Sequence, residues 1–544
     1  MAMMRRREVL RLLAVAGFAS LGAACQAAVP PTPEAPPTPL PPPPTVAPTA
    51  VSVTPGVRVA IDVDPDTLDP AGQTNPTTSS IVDHVAETLV RLQPDGIIGP
   101  GLARKFSQSP DGKSFTFELR QDVEFHDGTM LNAEAATLSL KRFLNPQLRV
   151  SLRTPFDANL VESIAPVDPL SFRITLKDPS RLFLQKLAAT ELAIVSPQHA
   201  RAFPDSFNDE PVGTGPYRFK ERRKGESVVV ERFDRYWGKR PSYPLIQFRI
   251  VPEVATRESL LLANQVDLLI QPPLADLPAL QKNPSLKLVQ TPTARSMFVA
   301  FDLTLPGGTP LAIKKVRQAL NFAVDRDGII RNVLFGAASP LDAPMAPSLV
   351  GYTRIGGYGY DPGRARQLLL EGGTPHLQLR FMHPTGRSLQ EALAAQLAQA
   401  VAGNLHDIGV DTDLVGSDWA SFVAAINVPE DRGTAHMHLF NWAPALLDAS
   451  QQMGQFVRSQ WPPAGLATSH YWNPKVELLV SEAARERDDQ RRQEQYAEAQ
   501  RIVWDDAPWI FLWSPSFVMV HTAGLQGVSA APTEKFSVFR AETV

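Results

Sequence analysis

Between Phe115 and Phe143 the chain reads FTFELRQDVEFHDGTMLNAEAATLSLKRF, and no other stretch restricts the fold as much. Its first half alternates, with Phe115, Phe117 and Leu119 on one face and Thr116, Glu118 and Arg120 on the other. Period two is the pattern of a half-buried strand. Asp127-Gly128 then supplies turn chemistry, because Gly tolerates positive φ and Asp bonds its own backbone. Asn132 is a natural N-cap, and Glu134 suits the positive end of a helix dipole. A strand, a turn and a capped helix within thirty residues demand a layered α/β architecture.

The rest of the chain repeats the alternation. Val57, Val59 and Ile61 mark a first strand, and Ile81, Val85, Leu89 and Leu92 predict a helix over Ile81–Leu92. Strands are predicted at Phe172–Leu176, Val228–Val230, Phe248–Val251 and Val266–Ile270, with helices near Leu182–Leu187 and Arg257–Ala263. Ile313–Val324 and Leu389–Leu405 carry helical spacing, Gly409–Leu414 reads as a strand, and Lys475–Val503 as one long helix with a solvated charged face. Trp509-Ile510-Phe511-Leu512-Trp513 is continuously apolar, as in a strand buried on both faces. Strands and helices interleaved in this way argue for mixed α/β lobes, and 544 residues suffice for several cores.

The N-terminus follows another logic. Arg5-Arg6-Arg7 precedes an apolar run, Leu10 to Leu21, too short to span a bilayer as a stable helix. Gly22-Ala23-Ala24 leads into Cys25, the only cysteine, so no internal disulfide or thiolate zinc cluster can form. The segment resembles a lipoprotein signal (residues 1–24) in which Cys25 becomes the acylated first residue of the mature chain. Arg6-Arg7 also resembles a twin-arginine export signal, so both export routes stay open. Residues 25–56 hold the cysteine and a Pro/Ala/Thr/Val-rich stretch that favours polyproline II. At ~3.1 Å per residue this tether would hold a folded body up to roughly 80–90 Å from a membrane.

The formal charge is −3, and loss of residues 1–24, with four Arg and one Glu, would leave about −6. A mildly acidic body gives no support to nucleic-acid binding. Nor does any motif supply catalysis. There is no phosphate-cradling glycine loop, nucleophile elbow or two-histidine zinc helix. His436 and His438 would share one face of a strand but lack an evident third ligand, so neither a metal nor another cofactor is expected. His126-Asp127 is most plainly a turn carboxylate beside an exposed imidazole. A carboxylate pair drawn from distant segments stays open, but the expectation is a protein that is not an enzyme.

Several short motifs, in order, resemble the extracellular solute-binding proteins of the oligopeptide, dipeptide and nickel class that serve ABC importers. They include Leu68-Asp69-Pro70, Glu87-Thr88-Leu89-Val90, Phe125-His126-Asp127-Gly128-Thr129, Gly213-Thr214-Gly215-Pro216-Tyr217, Tyr236-Trp237 and Tyr471-Trp472-Asn473-Pro474. Val316-Arg317-Gln318-Ala319-Leu320-Asn321-Phe322-Ala323-Val324-Asp325-Arg326 is the most specific of them.

The resemblance implies an α/β two-lobed clamshell with an extra third domain. Lobe I would comprise residues 57–86, 205–292 and 507–544, the extra domain 87–204, and the other lobe 293–506. A small solute would bind between the lobes, which close over it by hinge motion.

In peptide-binding members of the class, a Trp followed three residues later by an Asp anchors the peptide amino group. Here Trp442 is kept, but the acid position is Ala445, and Asp448 is the next carboxylate. Free peptides are thereby disfavoured relative to a sugar, a modified or cyclic peptide, or an opine-like compound. By the same resemblance Trp442, Asp448, Arg295, Met297, Asn75 and Met382 are candidate ligand contacts. The expected protein is a monomeric receptor, lipid-anchored to the outer face of the cytoplasmic membrane, that delivers solute to ABC permease subunits. A sensor or adhesin without a transporter, and an extracellular hydrolase, are the alternatives.

Overall fold

The strand Trp509–Thr522 organises the molecule, a computed structural model that describes residues 56–73, 75–93, 97–148, 156–386 and 389–538. Residues 1–55, which hold the expected signal, Cys25 and nearly all of the proline-rich tether, lie outside the described residues. The first part of the long strand, Trp509–Trp513, pairs antiparallel with Ser296–Phe301. Its later part pairs with Leu286–Pro292 and Leu268–Ile270. One strand therefore belongs to two halves of a twelve-stranded sheet, in which ten strands follow one hydrogen-bonded path and Leu286–Pro292 and Ala338–Pro340 pair with the long strand off that path.

On one side of that strand, Leu268–Ile270 and Leu245–Ile250 flank the first strand, Val57–Ile61, both parallel to it. On the other, Ser296–Phe301, Met437–Trp442, Leu377–Thr385 and Val410–Asp418 follow in order. Each half is covered by apolar clusters on both faces, which explains the continuous apolar runs in its central strands. Trp509 stacks on Phe298 with ring centroids 3.5 Å apart and planes 4° from parallel.

The stretch Phe115–Phe143 contributes to a second sheet and the helix packed on it. Ser114–Leu119 lies inside a four-stranded antiparallel sheet with Ala103–Gln108, Val161–Asp168 and Ser171–Leu176. Phe115, Phe117 and Leu119 are buried while the intervening residues are not, as the alternation requires. Asn132 caps the helix Ala133–Lys141 by accepting from the Ala135 amide at 2.8 Å.

The most specific motif is structural. The helix Lys314–Ala323 buries Val316, Ala319, Leu320 and Ala323. Its polar residues pin it to the long strand: Asn321 Nδ2 donates to Trp509 O at 2.8 Å, and Asn321 Oδ1 accepts from Phe511 N at 3.1 Å. Arg317 donates to Asp506 O at 2.8 Å. Arg326, buried against Phe511 O and Asn321, has its guanidinium pulled down to about 10 by burial.

Two predicted helices are drawn differently. The helix expected over Ile81–Leu92 runs instead from Pro76 to Asp83. Asn75 caps it and Pro76 supplies a preset first residue, while Val90–Leu92 is extended and pairs with Ile98–Pro100. The expected helix Lys475–Val503 is two helices, Pro474–Ala483 and Asp489–Asp506. Asp488 restarts the chain as an N-cap, accepting from Arg491 N at 2.8 Å. Its charged face is not wholly solvated either, since Arg492 is buried.

Candidate functional site

A cavity of about 430 Å³ lies where four segments meet: the stretch from Asn75 to Glu87 that holds the helix Pro76–Asp83, the Thr190–Glu191 turn, Ala294–Arg295 with Ala443–Leu447, and the hairpin Ser529–Ser537. Sites for drug-sized ligands occupy roughly 300–1,000 Å³, so the volume admits a small solute. Its wall is made by connecting segments, among them Ala294–Arg295 just before the strand Ser296–Phe301 and Ala443–Leu447 just after Met437–Trp442.

The polar side is assembled from paired charges. Glu87 is buried and accepts from Trp237 Nε1 at 2.8 Å, Tyr236 Oη at 2.9 Å and Thr214 Oγ1 at 3.0 Å, and it pairs with Arg91. Burial opposes the charge on Arg91, but the Glu87 carboxylate outweighs it and holds the guanidinium above its usual range. The same burial, helped by Glu87, pushes the Tyr236 phenol up. Asp83 accepts from Lys535 Nζ at 2.8 Å and from Thr190 Oγ1 at 2.6 Å. Arg295 donates twice to Glu534, Nε to Oε1 and Nη2 to Oε2, both at 2.7 Å, and once to Asn441. Burial acts against this charge too, yet Glu534 raises it.

The neighbouring part of the wall is apolar. It is the turn Ala443–Leu447 between the strand Met437–Trp442 and the helix Ala449–Met453. Ala445 is exposed on it, so the position that would carry an amine-anchoring acid presents a methyl group to the cavity.

Of the residues singled out in the sequence, the structure brings Asn75 and Arg295 to this cavity. Asn75 spends its Oδ1 on the Thr78 amide at 2.9 Å as the helix cap. Met297 faces elsewhere. It is buried on the strand Ser296–Phe301 and lines a separate void of about 70 Å³ with Leu334, Leu397 and Trp513. Met382 is packed in an apolar cluster with Phe422 and Phe440, because the strand Leu377–Thr385 turns that face inward.

Trp442 sits opposite Ser296 in the sheet register, half-buried in the same cluster, and its Nε1 meets no acceptor among the described residues. Asp448 is not at the cavity wall. It caps the helix Ala449–Met453 through Ser450 N at 2.9 Å and pairs with buried Arg492.

His126 is not the exposed imidazole expected from its turn. It lies edge-on to Phe233, its Nε2 is 3.0 Å from Gly215 O, and burial pulls it down to about 4. Asp127 serves the turn, accepting from Thr129 N at 3.0 Å. His438 is likewise pulled down to about 4 by burial, against Thr468 Oγ1 at 2.7 Å. No group of three or more His, Cys, Asp or Glu suited to a metal occurs among the described residues. No helix among them is long and apolar enough to cross a membrane.

Asp83, Glu87, Thr190, Glu534 and Lys535 were not singled out in the sequence. Glu87 stands inside a quoted motif and was legible as a member of it. The other four lie in segments hundreds of residues apart, with no local pattern to join them.

A family model described as "Bacterial extracellular solute-binding proteins, family 5 Middle" matches residues 98–463. A glutathione-binding protein GsiB from Pectobacterium atrosepticum is 30% identical over 474 residues, covering 86% of this chain and 90% of that protein. Among solved structures, HbpA2 from Haemophilus parasuis aligns with a TM-score of 0.78 at 23% identity, over 89% of this chain and 98% of that one. NikA from Brucella suis aligns with a TM-score of 0.75 at 23% identity, over 88% and 99%. At such identities the likeness speaks for the fold, a multi-domain α/β clamshell.

Proposed function

Because the chain belongs to family 5 of the bacterial extracellular solute-binding proteins, we propose that it captures a small peptide-like solute bearing both a carboxylate and an amine and delivers it to an ABC permease. One observation carries the choice of solute: the cavity wall sets the Arg295 guanidinium and the Asp83 carboxylate beside an apolar turn. A zwitterion with a short aliphatic middle complements such a wall.

The missing acid at Ala445 argues against anchoring a free amine on the apolar wall, as ordinary dipeptides would require. A γ-linked or otherwise modified peptide, whose amine is placed differently, fits better, and the 30% identical relative is named for glutathione. Glutathione is therefore the first solute to test.

Ligand that touches both lobes only when they are closed draws the protein to the closed state by population shift. We take lobe I as residues 57–86, 205–292 and 507–544, with the extra domain at 87–204 and the second lobe at 293–506. The protein is a monomer held at the outer face of the cytoplasmic membrane through acylated Cys25, after loss of residues 1–24. Two acyl attachments at that cysteine meet the requirement for stable anchoring.

The test is mass spectrometry of solute released on denaturing gently purified protein, with calorimetry against glutathione, dipeptides and sugars. A thiol tripeptide in the released fraction, and heat with glutathione, are expected. Tight binding of a neutral sugar with no response to any peptide-like compound would overturn the proposal.

A further inference from the structure

The hairpin Ser529–Ser537 carries a carboxylate and an ammonium on consecutive residues, and each is already engaged by a complementary charge of the cavity wall. Glu534 makes the bidentate pair with Arg295, both side chains about one-tenth exposed. Lys535 Nζ lies 2.8 Å from Asp83 Oδ2 and 2.8 Å from Thr190 Oγ1. All five residues line the cavity. We propose that Glu534 and Lys535 act as a built-in pseudo-ligand, occupying the carboxylate and ammonium subsites that Arg295 and Asp83 offer to an incoming solute.

Three features support competition rather than a plain structural clamp. The stem of the hairpin is secured without these charges: Phe536 and Val538 are buried in a core, and Phe536 N donates to Ser80 Oγ at 2.9 Å. The tip is further tied by Ala294 N donating to Pro532 O at 2.8 Å. Next, Glu534 holds a left-handed backbone with φ of 64°, which a glycine or asparagine would adopt at less cost. The glutamate there brings its carboxylate to the guanidinium at the expense of strain. Finally, the two-oxygen fit of Glu534 on the guanidinium is the contact a solute carboxylate would make, and both cannot have it at once. The hairpin spares Arg295 and Asp83 from standing unpaired at a partly buried surface.

The inference rests on the peptide-like reading above, and the experiment separates the two. Glu534→Gln and Lys535→Met are titrated by calorimetry with glutathione, its diester (both carboxylates masked) and N-acetylglutathione, alongside the unaltered protein. Self-competition lowers apparent affinity by the fraction of time the subsites are free. Glu534→Gln should therefore tighten glutathione by about five- to tenfold and leave the diester unchanged. Lys535→Met should tighten glutathione but not the N-acetylated form. If the unaltered protein binds glutathione and both variants bind it equally or more weakly, the hairpin is only a clamp and the inference falls while the function stands. If neither the protein nor the variants bind any of the three compounds, both fall.

Discussion

Asp448 Oδ1 lies 2.7 Å from Arg492 Nη2, with both side chains shut away from solvent. The same oxygen accepts from Ser450 N, so the carboxylate nearest in sequence to Trp442 is committed to holding two helices together. Burial opposes the Arg492 charge, but Asp448 raises it above its usual range. Removing one partner of a buried pair leaves an uncompensated charge. Asp448→Ala should cost about 3 kcal/mol in denaturant unfolding, with solute selectivity unchanged in the protein that remains folded. A selectivity change without loss of stability would place Asp448 in the solute site after all.

The apolar wall offers a gain-of-function test. Ala445 is exposed to the cavity, so Ala445→Asp introduces a carboxylate where an amine anchor is absent. A charge-assisted bond in a closing cleft should tighten free dipeptides by about tenfold over their N-acetylated forms. Calorimetry on matched pairs reads the difference. Equal affinities would show that solutes do not approach this wall.

Acidification should destabilise the fold through two histidines. His126 and His438 both titrate at about 4 because burial disfavours the cation, whereas an unfolded histidine titrates near its ordinary 6.5. Between these values the unfolded chain binds more protons, so stability is fully present above about pH 6.5 and is lost as pH falls toward about 4. Each site contributes up to about 3 kcal/mol. Denaturant unfolding at stepped pH measures the slope, and His126→Gln should flatten it only in part, since burial also pulls His84, His436 and His521 below their ordinary value. A flat profile in the unaltered protein would contradict the burial of both rings.

Two arginines reach across between distant segments in opposite directions. Arg487 donates to Pro110 O and Asp111 O at 2.9 and 2.8 Å, while Arg181 donates to Arg487 O at 3.0 Å and pairs with Asp489. These contacts join the four-stranded unit to the turn between the two late helices. Since they exist only when the segments are close, Arg181→Ala with Arg487→Ala should favour the open form. Solute release should quicken several-fold with little change in capture, read by stopped flow, and solution scattering should show a larger radius. Unchanged release would make the clasp incidental.

Local patterns told a great deal about this chain. The alternation at Phe115–Leu119 and the cap at Asn132 appear as read, because a strand face and a helix start are set by neighbours in sequence. The apolar spacing of Ile81, Val85 and Leu89 points to a later helix than Pro76–Asp83, because the start is set by the Asn75 cap and Pro76 rather than by that spacing. The break at Asp488 was missed for a similar reason: one capping oxygen outweighed a long charged pattern.

His126 marks the boundary between the two kinds of information. Its turn was legible from Asp127-Gly128, but its neutrality comes from Phe233 and Gly215, which tertiary packing alone brings to it. The cleft goes further still. Sequence by itself determined the α/β class, the family motifs and the missing acid at Ala445, all matters of residue type and spacing. Only the tertiary structure decided that Arg295 meets Glu534 across 239 positions and that Lys535 meets Asp83. Ion pairs of that kind leave no periodic trace in a chain, because charge attracts charge through space and is indifferent to sequence separation.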